Sequence, residues 1–318
     1  MSKIKKIKCN SHEEWLAERR KSIGGSDAGT ICGLNPYSSA YALWAEKTGA
    51  MEPEDISEKE AVRLGNDLED YIAHRFMEKT GLKVKRCNYL LRNEDFQFAH
   101  ADIDREIIGK SEGLECKSTS NNEIIHYCIN GEIPPNFYCQ CLHYMMVTGY
   151  TKWHLAILCF GKGFYTFEIE RTEAIEKEIR ALEEIERGFW AEVETGTPPK
   201  IDGSKATSEA VDSIFGNARE GLEIDLSGVS EHIWKYKALS GQIKQLENLL
   251  DEEKNHIKTY MGEATGGRFG DFRISWKEQS RQSFDSRRFS LEHPEIDMST
   301  YYNTSTSRVF RFNEKKGK

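Results

Sequence analysis

Several features common in chains of this length are missing from these 318 residues. No apolar run approaches the roughly 20 residues a membrane span needs. The longest, around 155–160, has only the length of a strand. The first fifteen residues, MSKIKKIKCNSHEEW, carry lysines but no apolar stretch of the kind a secretory signal requires. The eight cysteines (9, 32, 87, 116, 128, 139, 141 and 159) form no C-x-x-C pair. Cys139 and Cys141 make a lone C-x-C with no second pair at finger spacing, which argues against zinc or iron–sulfur ligation. Together these absences predict a protein of a reducing cytoplasm, without disulfides. There is no internal repeat or low-complexity tract either. With 38% hydrophobic and 11% aromatic residues the chain has material for a core, so wholesale disorder is excluded.

Positive charge is also short. Lys and Arg number 44 against 52 Asp and Glu, a formal net charge of −8. Taken alone that speaks against nucleic acid, whose partners are expected to be basic. The distribution says something else. Residues 1–35 hold seven basic and four acidic residues, and residues 266–318 hold eleven and seven. The middle therefore carries −15 between two basic ends. Most of that is readable as solvated acidic surface, unless some of the carboxylates converge on a metal.

Periodicity organises the chain. Residues 11–50 read as helices around Gly24-Gly25, with Pro36 and Tyr37 opening a further helix. Residues 60–80 are amphipathic at three- and four-residue steps and stop at Gly81. Residues 83–92, 96–108 and 112–119 read as an antiparallel meander. A helix at 136–148 follows Pro134-Pro135, then a strand pair at 152–160 and 163–170, then an acidic helix at 172–194. This order predicts an α+β or α/β domain with a central sheet, over 1–197. A polar linker is expected over 198–225. The remainder, 226–318, reads as a long helix or helical hairpin, preferably a packed hairpin, followed by a basic, strand-like tail at 267–312.

The chemistry sits in Ala101-Asp102-Ile103-Asp104 followed by Gly113-Leu114-Glu115-Cys116-Lys117. A strand's period of two puts Glu115 and Lys117 on one face and Cys116 on the other. An adjacent strand can bring Asp104 beside them. Two carboxylates and a backbone carbonyl are hard oxygen ligands of the kind Mg²⁺ or Mn²⁺ prefers. The lysine can orient or help deprotonate an attacking water. Asp/Glu-x-Lys occurs three times, at 115–117, 252–254 and 314–316, and only the first has a strand context with an acid one strand earlier. The plain alternative there is an exposed cross-strand ion pair worth under about 1 kcal/mol. Glu69 follows Gly65-Asn66-Asp67-Leu68 on an otherwise apolar helix; alone it reads as solvent-facing. Gln140 and Tyr144, spaced i, i+4, share a helix face. Arg19 and Ser26 flank Gly24-Gly25, with Ser26 a candidate N-cap where free N–H groups attract phosphate.

Taken together, Trp15-x-x-x-Arg19, Ile23-Gly24-Gly25-Ser26-Asp27-Ala28, Gly65-x-x-x-Glu69, Asp104, Leu114-Glu115-x-Lys117 and Gln140-x-x-x-Tyr144 resemble the YqaJ-type phage recombination nucleases. These are relatives of lambda exonuclease in the PD-(D/E)XK superfamily. The resemblance spans residues 11 to about 170 in order. It implies a restriction-endonuclease-like core, a mixed central β-sheet flanked by helices, with a C-terminal helical and β extension. It also implies a Mg²⁺- or Mn²⁺-dependent 5′-to-3′ exonuclease with about two ions per site. Such an enzyme acts on linear double-stranded DNA with 5′-phosphate ends and leaves 3′ single strands for a single-strand annealing protein in phage-type recombination. By position, Asp104 would bridge the metals, Glu115 and the Cys116 carbonyl would complete one site, Glu69 would support the second metal, and Lys117 would position the attacking water. Gln140 would stand near the reacting centre and, with Tyr144, contact the DNA, and Arg19 and Ser26 would hold the terminal phosphate. A ring-shaped homotrimer and a place in a bacterial host cell, encoded by phage or prophage, are implied likewise.

The sequence departs from the pattern at Ile103, where the superfamily has proline, and at Asp102, an extra acid on the same strand face as Asp104. Asp104 fits the family register better. Lys3, Lys5, Lys6 and Lys8 read equally as duplex contacts or as a solubilising tail. Two other functions share these residues: an endonuclease of the same fold, of restriction or junction-resolving type, and a non-catalytic DNA-binding or partner-docking protein.

Overall fold

The computed structural model describes residues 4–303 and 306–314. Lys3 and the tail beyond 314 lie outside the described residues. The chain divides into two compact units, Met1–Gly216 and Asn217–Lys318.

In the first unit the order is β1 (Ile4–Ile7), α1 (His12–Arg20), α2 (Gly25–Ile31), α3 (Ala40–Thr48), α4 (Glu60–Thr80), β2 (Val84–Arg86), β3 (Leu90–Asn93), β4 (Arg105–Ile107), β5 (Glu112–Thr119), α5 (Asn122–Ile129), α6 (Pro135–Thr148), β6 (Lys152–Cys159), β7 (Gly163–Glu170), α7 (Glu173–Thr195) and α8 (Lys205–Ile214). Five strands form a mixed central sheet in the order β2-β4-β5-β6-β7. β5 and β6 run parallel with Glu115 opposite Leu155; the other neighbours are antiparallel. A parallel pair needs a long crossover, and α5 and α6 supply it.

The alternation of side chains along the strands divides the core between the two faces of the sheet. Ile107, Leu114 and Ala156 pack against Ile72 and Phe76 of α4, with Cys116 at the edge of that cluster. Trp153, Leu155 and Ile157 belong to the larger cluster that contains Met145 and Val147 of α6 and Ile179 and Leu182 of α7. Glu115 and Lys117 lie one residue to either side of Cys116, so they share the α6 face. The amphipathic repeat of 60–80 is α4, closed by Gly81 at φ 73°, as its spacing predicts.

Several expectations are corrected. The stretch 83–119 is not one meander, because β3 leaves the central sheet and pairs with β1. Lys5 and Lys6 therefore sit in a strand rather than a free tail. The helix expected at Pro36 starts at Ala40, where the Ser39 hydroxyl accepts the Ala42 N–H. The expected linker contains α8, which packs Ala210 against Tyr41 and Ala42 of α3. The Thr207 hydroxyl also donates to Ser39 Oγ at 2.8 Å. The first unit thus runs to Gly216 rather than 197. Val211 and Ile214 are the apolar positions that tie it down.

The second unit contains α9 (Ser230–Met261), β8 (Gly266–Phe269), β9 (Phe272–Ser275) and α10 (Ser286–Glu292). α9 is one uninterrupted helix of 32 residues that buries none of them, not a packed hairpin. β8 and β9 form a hairpin, but Arg308–Phe312 joins no strand. No helix among the described residues is long and apolar enough to cross a membrane.

Candidate active site

The site begins on β5. Glu115 is buried at 2% exposure on the α6 face. Its Oε1 accepts hydrogen bonds from Lys117 Nζ at 2.7 Å and Gln140 Nε2 at 2.7 Å. Its Oε2 is buried with no hydrogen-bond partner. Asp104, just ahead of β4, accepts the Cys116 N–H at 2.7 Å, which anchors its carboxylate to the backbone of β5. Lys117 Nζ also lies 5.4 Å from the centre of the Phe137 ring.

This crowding shapes the charges. Burial raises the Asp104 carboxyl well above its ordinary range, and the Glu115 charge adds to it, against Lys117. Burial likewise raises Glu115, opposed by the Lys117 charge and hydrogen bond. For Lys117 burial alone would lower the ammonium, but Glu115 and Asp104 outweigh it and hold the charge. Two carboxylates pressed together out of water, one with an orphaned buried oxygen, form a site short of positive charge. Such a donor set fits a hard divalent cation.

Glu69 reaches the same region from α4 but is occupied. Its Oε1 accepts from Arg105 Nη1, and Arg105 Nη2 spans to Asp70 Oδ1 at 2.6 Å. Among the described residues no three or more His, Cys, Asp or Glu side chains are gathered closely enough to hold an ion as they stand. Glu69 would have to exchange Arg105 for a cation to join one.

α6 connects this centre to a second polar cluster around Arg19. Gln140 Nε2 also lies 2.9 Å from Tyr144 Oη, and that hydroxyl donates to the Asp102 carbonyl at 2.8 Å. The Tyr144 ring lies flush against Gly25, where a Cβ would come within 2.5 Å of it. Here only glycine permits the approach. Beyond Gly25, Ser26 is exposed and accepts Arg19 Nη2 at 3.2 Å. The Arg19 guanidinium stacks 4.4 Å from the Trp15 ring centre, and Trp15 Nε1 donates to Asp102 Oδ2 at 2.8 Å. Asp102 is thus the support of Trp15, and Asp104 is the acid beside Glu115. Ser26 does not cap α2. Gly24 does, and its N–H is taken by Asp27 Oδ2 at 2.9 Å.

Residues 14–151 match the YqaJ-like viral recombinase domain. The chain is also 35% identical over 290 residues to the uncharacterized protein YqaJ of Bacillus subtilis strain 168, covering 90% of this chain and 89% of that one. The chain belongs to the YqaJ-like viral recombinase family. Among solved structures it is similar to an alkaline exonuclease, LHK-Exo, from Laribacter hongkongensis, with TM-score 0.47 and 20% identity over 58% of this chain and 94% of that one. It is also similar to a phage-related exonuclease from Haemophilus somnus 129PT, with TM-score 0.40 and 13% identity over 55% and 96%.

Other polar residues of this YqaJ-like chain stand around the site with no role evident from their sequence context. Asp27 is ion-paired to Lys47 at 2.8 Å; burial pushes its carboxyl up, but Lys47 and Arg19 outweigh that and lower it. Lys47 also donates to the carbonyls of Arg19 and Ser22, so it ties α3 to the backbone around the Arg19 pocket. His143 is fully buried between Glu186 Oε1 at 2.8 Å and the His100 carbonyl at 2.8 Å. Arg105, whose pairs hold Glu69, was visible only as the residue after Asp104. Asp27 had a local signal, an acid three residues past Gly24 at a helix start. His143 and Glu186 had none, because 43 residues separate them.

Proposed function

We propose that this YqaJ-like protein is a divalent-metal-dependent exonuclease that resects linear duplex DNA 5′ to 3′ from phosphorylated ends. It would leave 3′ single strands for an annealing protein. The observation that carries this reading is the convergence of Asp104, Glu115, Lys117 and Gln140, with Glu115 Oε2 buried and unpartnered.

Asp104, Glu115 and the Cys116 carbonyl are the groups that would hold a first Mg²⁺ or Mn²⁺, with Glu69 available to a second once released from Arg105. A cation bound there supplies charge that stabilises the phosphoryl oxygens and the departing oxygen. Lys117 keeps its proton and fixes the orientation of Glu115 and of a neighbouring water. Gln140 donates to Glu115 and holds it against the sheet. Arg19 and Ser26 offer donors to a terminal phosphate, and Tyr144 fixes the distance between that pocket and Glu115. Placing the strand end relative to the water gives directionality. A homotrimer and a place in the bacterial cytoplasm accompany this reading by resemblance.

The test is a time course on 5′-labelled linear duplex and on closed circular DNA, with and without Mg²⁺. The expected result is release of the label from linear DNA only, dependent on Mg²⁺, and slower from 5′-hydroxyl ends. Cleavage of the circle would replace this reading with an endonuclease. Binding without nucleotide release would replace it with a non-catalytic DNA-binding protein.

A further inference from the structure

α9 carries a heptad repeat whose apolar residues stand exposed among the described residues. Tyr236, Ile243, Leu250 and Ile257 recur at every seventh residue, the a positions of a coiled coil, and Val229 continues the spacing just ahead of the helix. The d positions hold Leu239, Leu246 and Tyr260, interrupted by His232 and Glu253. Phe310 and Phe312 lean on Tyr236 at one end. The central residues Leu239, Ile243, Leu246 and Leu250 are 57%, 56%, 64% and 68% exposed. An apolar seam of this length in water calls for a partner helix.

Charge and pattern both select the occupant. The first half of α9, 230–245, holds Lys235, Lys237 and Lys244 against Glu231; Lys237 already meets Glu314 of its own chain at 2.6 Å. The second half, 246–261, holds four acids against Lys254 and Lys258. The helix is therefore net positive at its start and net negative at its end, and it complements a copy of itself laid antiparallel. A parallel pair in register would set Glu253 on Glu253 and His232 on His232 inside the seam. The antiparallel register that matches a to d layers avoids both clashes. It places Ile243 opposite Leu246 and Leu239 opposite Leu250, on either side of a two-fold axis, and sets Tyr236 opposite Glu253, where a phenol can donate to a carboxylate.

We propose that α9 pairs with α9 of a second copy of this chain as an antiparallel two-helix coiled coil. The contact is isologous, so it closes on itself whatever assembly the first unit forms. It joins two chains, or two rings if the first unit assembles as one.

The test uses the full chain. In sedimentation equilibrium Leu246→Asp, at a site exposed in the single chain, should halve the mass of the wild-type particle and leave its circular dichroism unchanged. Equal masses for both proteins would overturn the proposal, including the case in which both are single chains and the seam serves another protein. Orientation is read by cysteine oxidation, with wild type as background for the native thiols. Leu239→Cys combined with Leu250→Cys should give cross-linked dimers, and neither single variant should. An internal bond cannot form, because eleven residues of helix separate the sites by about 16 Å. Cross-linking by Leu239→Cys alone would mean a parallel pair and would overturn the proposed geometry.

Discussion

The two units treat their apolar residues in opposite ways. In the first, Trp153, Leu155, Ile157 and Met145 are fully buried, and the sheet brings polar groups inside with them. In the second, leucines and aromatics stand in water along α9 and around the β8–β9 hairpin. Burial raises Asp104 and Glu115, and these two carboxylates in turn raise Lys117 against the effect of its own burial, the kind of perturbation a reactive site shows. A helix with no buried residue cannot tune a side chain that way. It can offer a surface, and α9 does so.

Substitutions can break this contrast, and the largest effect belongs to the first unit's chemistry. Glu115→Ala or Lys117→Ala should reduce nucleotide release from linear duplex by at least about 1,000-fold, some 4 kcal/mol of barrier. Full activity in either purified variant would dismantle the site. Next, Trp153→Ala should cost about 3–5 kcal/mol in urea unfolding, as expected of a filled core position. Gly25→Ala should cost about 1–3 kcal/mol, because its methyl group must push the Tyr144 ring away. It should also slow cleavage by disturbing Gln140. Unchanged activity there would uncouple the Arg19 pocket from Glu115.

A pH series probes the same interior. Burial holds the His100 imidazole well below its ordinary value of 6.5. Its stabilising contribution is therefore complete above that value and lost as pH falls through it, since the unfolded chain then binds a proton the fold refuses. The slope approaches about 1.4 kcal/mol per pH unit for one proton. His143 runs the other way. Burial would lower it, but Glu186 outweighs burial and raises it, so its contribution is present below 6.5 and fades as pH rises through the folded value. Urea unfolding of His100→Gln should show a shallower loss between pH 6.5 and 5 than the wild type, and an identical profile would refute the assignment. The smallest effect belongs to α9. Leu246→Ala should shift unfolding by less than about 0.5 kcal/mol in dilute protein, where the helix is unpaired.

Local signals made much of this readable in the one-dimensional chain. Strand alternation put Glu115 and Lys117 on one side and Cys116 on the other. Helical spacing delimited α4 up to Gly81, and the i, i+4 rule put Gln140 with Tyr144. Each is a short-range consequence of backbone geometry, so neighbours in sequence suffice. The departure of β3 to pair with β1, the docking of α8 on α3, the seating of Tyr144 against Gly25 and the capture of Glu69 by Arg105 were not readable. Each depends on which distant surfaces meet, and no local period encodes that.

Net charge shows the same division. The −8 total and its acidic middle are properties of composition alone. That composition could not say which carboxylates lie on a solvated surface and which are pressed together out of water. The periods, the helix stops and the order of the acidic and basic residues are written into the linear chain. Tertiary structure alone decided that Asp104 is fastened to the β5 backbone while Asp102 is turned to Trp15. The two acids are chemically identical and two residues apart. What separates them is the neighbour that packing delivered to each, a backbone N–H of the next strand for one and an indole from α1 for the other.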